Sequence, residues 1–373
     1  MKKLYKDIRF TKGILTLTAG LLIAGCSAED ELGNNSSAQQ LNMIPMVNDL
    51  QKSRANDEDA LHEKTLSKLD FKMFEPAFSK CCVNHQSSNP AEKQAEVLGK
   101  DNWKVDLNLQ EDHSYNYYAV ANAQADLSKK TLEELQAATQ QDNDIWLPYP
   151  QAKDKKFLMS AKGQYIISKD PIQDIPVELV RAAAKIKLNL SSSVNGYNIT
   201  NVKWKFLNYN TNTSVFAGQT ATPNIVSNNE DNTVDKIEAN KCSVTTYSYS
   251  TTWTSQENAP KIAVKVVFES TDGKNEKREK ELTIPVRDPK GEKKLERNYI
   301  YTVNADIKRL KDNINIDYDK ELGYLKWAIT KWTTGEDTEV DADKASYLVV
   351  YPTKLDIPPD SLPYQHLLQY LLP

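Results

Sequence analysis

Glycine is scarce, with 12 in 373 residues, and that scarcity excludes a glycine-rich loop of the kind that cradles phosphates. Histidine is rarer still. His62, His85, His113 and His366 lie far apart, none at metal-ligand spacing and none beside a Gly-x-Ser-x-Gly elbow. Nothing marks a triad, a zinc site or a cofactor motif, so a chain without enzymatic activity, metal or cofactor is expected. Four cysteines are too few for a disulfide framework. One of them, Cys26, has a context of its own. Neighbouring Cys81 and Cys82 are poorly placed to bond each other, because a disulfide needs a particular Cα separation and torsion. Buried thiols are expected there in preference to a bridge through Cys242. Positive charge is not in excess either: the formal net charge of −4 argues against nucleic acid as a partner.

What is present begins with an export signal. Lys2, Lys3, Lys6 and Arg9 precede an apolar run from Ile14 to Ala24 that is too short to span a bilayer as a permanent helix. The run ends in Leu22-Ile23-Ala24-Gly25-Cys26, which resembles a bacterial lipobox and makes Cys26 the expected lipidation site. Ser27-Ala28-Glu29-Asp30-Glu31 follows, similar to the acidic signal that sends such lipoproteins to the outer face of the outer membrane; a solvated acidic linker reads the same way.

From Leu32 to about Glu63 the chain is polar, interrupted by Leu41 to Leu50 (LNMIPMVNDL). Pro45 excludes that island from a central strand but permits an edge or a bulge. Arg54 is the lone arginine between Arg9 and Arg181, and Ala55 to Asp59 after it should be exposed. Such an arginine in an extended stretch is a candidate protease site, with cleavage between Arg54 and Ala55; a plain linker residue is the other reading. The Leu41 to Leu50 island behind it could fill an open groove as a replaceable strand.

Beyond Leu66 apolar residues recur at every second position, the mark of half-buried strands. Ala182, Ala184, Ile186, Leu188 and Leu190 share one face, with Lys185, Lys187 and Asn189 on the other; the stretch just before, up to Ala183, reads as a possible helix. Ile262, Val264, Val266 and Phe268 alternate into a turn at Thr271 to Glu276 and return through Leu282, Ile284 and Val286, a hairpin pattern. Ser128 or Thr131 could cap a short helix whose buried face is Leu132, Leu135 and Ala138. Asp337, Glu339, Asp341 and Asp343 could hold calcium or guard a strand edge. The tyrosines and Trp253 could form a sugar platform or pack as core.

Five stretches carry a resemblance. They are Tyr-rich His113 to Asn122 (HSYNYYAVAN), Phe157 to Ser160 (FLMS), the Pro176, Leu179, Arg181, Ala184, Lys185 pattern, Arg297-Asn298-Tyr299-Ile300-Tyr301, and Leu325 to Trp332 (LKWAITKW). In this order they resemble fimbrillin-type pilus subunits (type V pilins) of Bacteroidales-like bacteria. The resemblance implies an all-β chain with a few short helices, built as two tandem antiparallel β-sandwich domains of transthyretin-like topology. The expected segments are a signal peptide at 1–25, a polar linker with a cleavable propeptide at 26–64, sandwiches at 65–177 and 178–345, and a tail at 346–373.

The implied function is a structural and adhesive subunit of surface fimbriae. It would be exported as a lipidated precursor anchored in the outer membrane, cut after Arg54 by an arginine-specific protease, and polymerised by donor-strand addition. The donor in such proteins is commonly C-terminal, here Tyr347, Leu348, Val349, Val350 and Tyr351, although the leucine-rich end from Leu362 is more helical than β-like. Implied partners are other fimbrial subunits, lipoprotein-processing enzymes, the protease, and host or bacterial surface ligands, with the membrane touched only through the lipid. A glycan-binding surface lipoprotein of a polysaccharide-uptake system is the alternative. It would have no use for a protease site behind its anchor.

Overall fold

The computed structural model describes residues 39–47, 63, 65–77, 79–88, 104–107, 109–148, 151, 156–170, 172–287, 292–310, 325–331 and 339–340, all within one compact unit. Period-two patterning becomes strand almost throughout. The first half contributes β1 (Gln39–Val47), β2 (Lys68–Phe74), β3 (Cys81–Ser88), β4 (Lys104–Leu107), β5 (Ser114–Ala121), β6 (Thr139–Gln141), β7 (Met159–Ile166) and β8 (Ile172–Arg181). The second half contributes β9 (Ala183–Ser192), β10 (Tyr197–Leu207), β11 (Tyr209–Asn210), β12 (Asn212–Ser214), β13 (Ile225–Val226), β14 (Asn232–Thr233), β15 (Lys241–Tyr249) and β16 (Thr251–Thr252). It ends with β17 (Lys261–Ser270), β18 (Lys277–Pro285), β19 (Lys294–Leu295), β20 (Tyr299–Ile307), β21 (Leu325–Lys331) and β22 (Glu339–Val340).

The fold is an all-β sandwich architecture. Strands of the first half run in the order β3-β2-β5-β7-β8-β1-β4. β8 serves two ladders: Ile172 to Leu179 pair in parallel with β1, while only Val180 and Arg181 pair with β7. Its burial alternates strictly, with Gln173, Ile175, Val177 and Leu179 inside and Asp174, Pro176 and Glu178 outside. The helix reading of this stretch is therefore replaced by a strand. Its Glu, Leu, Arg and Ala content favours helix weakly, and two ladder partners override that preference.

In the second half, β14-β10-β17-β18 and β15-β9-β20-β21-β22 form two sheets. Val202, Trp204 and Phe206 of β10 and Ile262, Val264, Val266 and Phe268 of β17 are buried, as are Ile186 and Leu188 of β9 and Tyr301 and Val303 of β20. β9 and β20 pair in parallel, as β1 and β8 do, and among the described residues the other ladders are antiparallel. Trp327 of β21 donates its indole N–H to the Pro285 carbonyl at 3.2 Å, tying the two sheets together, and the Arg287 guanidinium lies 5.3 Å from its ring centre.

Smaller expectations resolve locally. The short helix α1 (Leu132–Gln136) is capped by Thr131 and not by Ser128: Glu134 N–H donates to the Thr131 hydroxyl, and Thr131 N–H donates back to the Glu134 carboxylate at 2.9 Å. The thiols are not buried. Cys81 is exposed and Cys82 and Cys242 are half-buried, none of them in a disulfide; among the described residues β3, which carries Cys81 and Cys82, pairs with β2 alone. Trp253, Tyr247 and Tyr249 are buried, so they are core and not a sugar platform. Of the acidic run read as a calcium site or strand-edge guard, Asp337, Asp341 and Asp343 lie outside the described residues. Among the described residues no group of acidic, His or Cys side chains is arranged to hold a metal ion, and no helix is long and apolar enough to cross a membrane.

Asn122 closes the Tyr-rich strand in the left-handed region (φ 60°), which asparagine tolerates better than most residues. Its carboxamide oxygen accepts from Ser67 N–H at 2.9 Å, and its Nδ2 donates to the carbonyls of Thr65 and Phe157, each at 2.9 Å. Three chain segments meet on one side chain. Asn122→Gly keeps the backbone geometry and loses these bonds, which should cost about 1–3 kcal/mol. Asn122→Ala adds the strain of a β-carbon at positive φ and should cost more. Urea denaturation of the pair separates the two contributions.

Candidate functional site

The site is the slot held by β1 and the residue that anchors the chain after it. β1 comes from the polar N-terminal stretch, yet it lies inside the first sheet. Gln40 to Val47 pair in parallel with Ile172 to Leu179, and Gln39 to Asn42 pair antiparallel with Leu107 to Lys104. Leu41 and Met43 are fully buried, in one core with Leu69, Phe71, Met73, Ile175 and Val177. Pro45 had excluded a central strand. The strand is central only as far as Asn42; at Pro45 β4 has ended and β8 is the remaining partner, so the proline lies where the strand has one ladder neighbour.

Chain continuity runs from Val47 to Glu63 and into β2. Glu63 is buried, and its side chain meets the start of the second half. Its carboxylate accepts from the Lys185 ammonium at 2.7 Å and from the Tyr247 hydroxyl at 2.6 Å on the same oxygen. Its backbone carbonyl accepts from Arg181 Nε at 2.9 Å. Phe157 packs against the Tyr247 ring with centroids 4.8 Å apart. Arg181 ends β8, Lys185 lies on β9 and Tyr247 on β15, so the anchor spans the joint between the two halves.

The electrostatics follow from burial. Burial on its own pushes the Glu63 carboxyl up, but Lys185, Tyr247 and Arg181 outweigh it and hold the group below the ordinary glutamate value. Burial lowers Arg181 to about 10 against the pull of Glu63 and Tyr247, and it stays charged at neutral pH. The joint has further ties. β6 and β12 pair across it, Ser160 donates to the Val215 carbonyl at 2.7 Å, and Thr246 donates to the Trp146 carbonyl at 2.6 Å. Arg297 reaches the carbonyls of Ser214 and Val215 and is lowered to about 10 by burial.

Of the site residues expected from sequence, Cys26, Arg54, Ala55 and Tyr347, Leu348, Val349, Val350 and Tyr351 lie outside the described residues. The Leu41 to Leu50 island is described in part, as β1. Glu63 was missed. It is a single glutamate in a polar stretch, and Lys185, its partner, sits on the strand face that alternation assigns to solvent. The available signal was the pairing of Arg181 and Lys185 four residues apart across a strand junction, two cations beside an apolar run.

Neither a protein-family model nor a curated protein matches the chain. Solved structures do. A fimbrilin (FimA) from Porphyromonas gingivalis W83 matches with a TM-score of 0.53 at 14% identity, over 80% of this chain and 98% of that one. The chain has the fimbrillin fold. A candidate cell adhesion protein from Parabacteroides distasonis matches at 0.51 and 15% identity over 79% and 96% of the two chains. Another from Bacteroides eggerthii matches at 0.50 and 15% identity, over 80% and 98%. Within this fimbrillin fold the family-like stretches have physical roles. Asn122, Phe157, Arg181, Lys185 and Arg297 all make contacts at or next to the joint.

Removing Lys185 while leaving Glu63 buried should cost about 3–5 kcal/mol, and the Glu63→Gln, Lys185→Met pair should cost less than Lys185→Met alone. Because the folded Glu63 pKa is depressed, its contribution is complete above the unfolded glutamate pKa, about 4.3. It is lost as pH falls through the folded value. The stability gap between wild type and Glu63→Gln, read by urea denaturation, should therefore narrow below about pH 4.3.

Proposed function

We propose that this chain is a structural and adhesive subunit of surface fimbriae, made as a lipidated precursor and assembled by strand exchange. The observation that carries the reading is β1: a strand from the stretch ahead of Arg54 fills a place in the first sheet. The sandwiches are the working modules, the first taken up to about residue 177 and the second to about 345. Cys26 carries the lipid anchor in the outer membrane, and an arginine-specific protease cuts after Arg54. The cut separates anchor and β1 from the body, while Glu63 stays on the body side.

Leaving is costly for the body. Exposing the seats of Leu41 and Met43 forfeits ~1.5–3 kcal/mol per side chain, and each ladder bond lost forfeits ~0.5–1.5 kcal/mol. A strand from another subunit restores both by β-strand addition. Tyr347 to Tyr351 of a neighbouring copy is the proposed donor, since Tyr347, Val349 and Tyr351 alternate with Leu348 and Val350. For the glycan-binding alternative, Trp253, Tyr247 and Tyr249 are buried in the core and give it no support.

Mass spectrometry of wild-type fimbriae should find a mature chain starting at Ala55. An Arg54→Ala precursor should fold, stay membrane-bound and form no SDS-resistant ladder. Ladders whose subunits still carry residues 27–54 would sink the cleavage model. Separately, Cys26→Ser should abolish palmitate labelling; labelled Cys26→Ser protein would overturn the lipoprotein assignment.

A further inference from the structure

We infer that β4 is a conditional wall of the β1 slot: it stands in the sheet only while a strand occupies that slot. Among the described residues, the ladder partner of β4 is β1 alone. Lys104 to Leu107 pair with Asn42 to Gln39, and among the described residues no strand pairs on the far side of β4. β8, by contrast, keeps its two rungs to β7 at Val180 and Arg181 and its own buried Ile175, Val177 and Leu179 when β1 is gone. The dependence is therefore one-way. β1 rests on β8 through eight consecutive register positions, Gln40 to Val47, and on two fully buried side chains, whereas β4 rests on four positions of β1. A four-residue strand with one neighbour cannot hold its backbone bonds by itself.

The geometry also sets what can enter. An occupant must run parallel to β8 and antiparallel to β4, and must place apolar side chains at the Leu41 and Met43 positions. Opposite β4 it needs hydrogen-bonding groups on both edges, so proline is excluded at the 40, 41 and 42 positions. Beyond Asn42 one edge is free, and there the native strand carries Pro45. In the setting of the proposed strand exchange, on which this functional meaning rests, an empty slot has one fixed edge and one loose edge. The loose edge then folds down onto the arriving strand.

Native-state hydrogen exchange on the intact, uncleaved chain tests this, and it needs neither proteolysis nor polymerisation. Failure of the fimbrial reading is thus distinguishable from failure here. In wild type at low denaturant, amides of 104–107 should never outlast those of 39–47. In Leu41→Ala, Met43→Ala, exchange of 39–47 should rise at least about tenfold, and 104–107 should rise with it while β2 and β5 keep their protection. In Val105→Pro, protection at 44–47 should be unchanged, because β8 and the buried side chains still hold β1. If 104–107 remains protected while 39–47 exchanges freely, in wild type or variant, β4 has another support and the inference is wrong. Loss of the 44–47 protection in Val105→Pro overturns the one-way dependence.

Discussion

A carboxylate buried at the joint holds this molecule in its shape. Glu63 is withdrawn from water, which on its own disfavours the charge, and two cations and a phenol outweigh that cost. Its partners sit on β8, β9 and β15, so one residue, through its backbone carbonyl and its carboxylate, ties the last strand of the first half to two strands of the second. Hydrophobic contacts alone would leave the relative placement of the halves loosely specified. A geometrically demanding polar contact admits one arrangement.

The other ties at the joint follow the same logic. Asn122 and Asn298 both adopt left-handed backbone, and Asn298 N–H donates to the Ala183 carbonyl at 2.8 Å at the start of β9. Phe157 gives its carbonyl to Asn122 and its ring to Tyr247. Stretches that look unremarkable as half-buried strand, such as Phe157 to Ser160 or Arg297 to Tyr301, thus supply the polar and aromatic pieces of one boundary.

Much of the fold was legible, for a physical reason. Strands with one wet face advertise themselves by alternation, as in β9, β17 and β20, and their register follows from which face is apolar. Residues 175–183 misled because local helix preference and strand periodicity coexist there, and only the neighbouring strands decide. Cys81 and Cys82 misled because thiols are usually inside, whereas sheet order puts them on an edge. Glu63 was illegible: its burial is created by a chain segment folding over Lys185, a contact 122 residues apart in sequence that no local pattern encodes.

β1 is gripped unevenly along its length. From Gln39 to Asn42 it has a neighbour on each side, while from Met43 to Val47 it has β8 alone and includes a residue with no N–H to give. A pull along the strand axis loads all the β8 rungs together, whereas a pull at right angles from the Val47 end breaks them one after another. The strand therefore has a weak end and a strong end, and thermal fraying begins at the one joined to the Arg54 stretch. Unpeeling has a direction, set by where β4 stops.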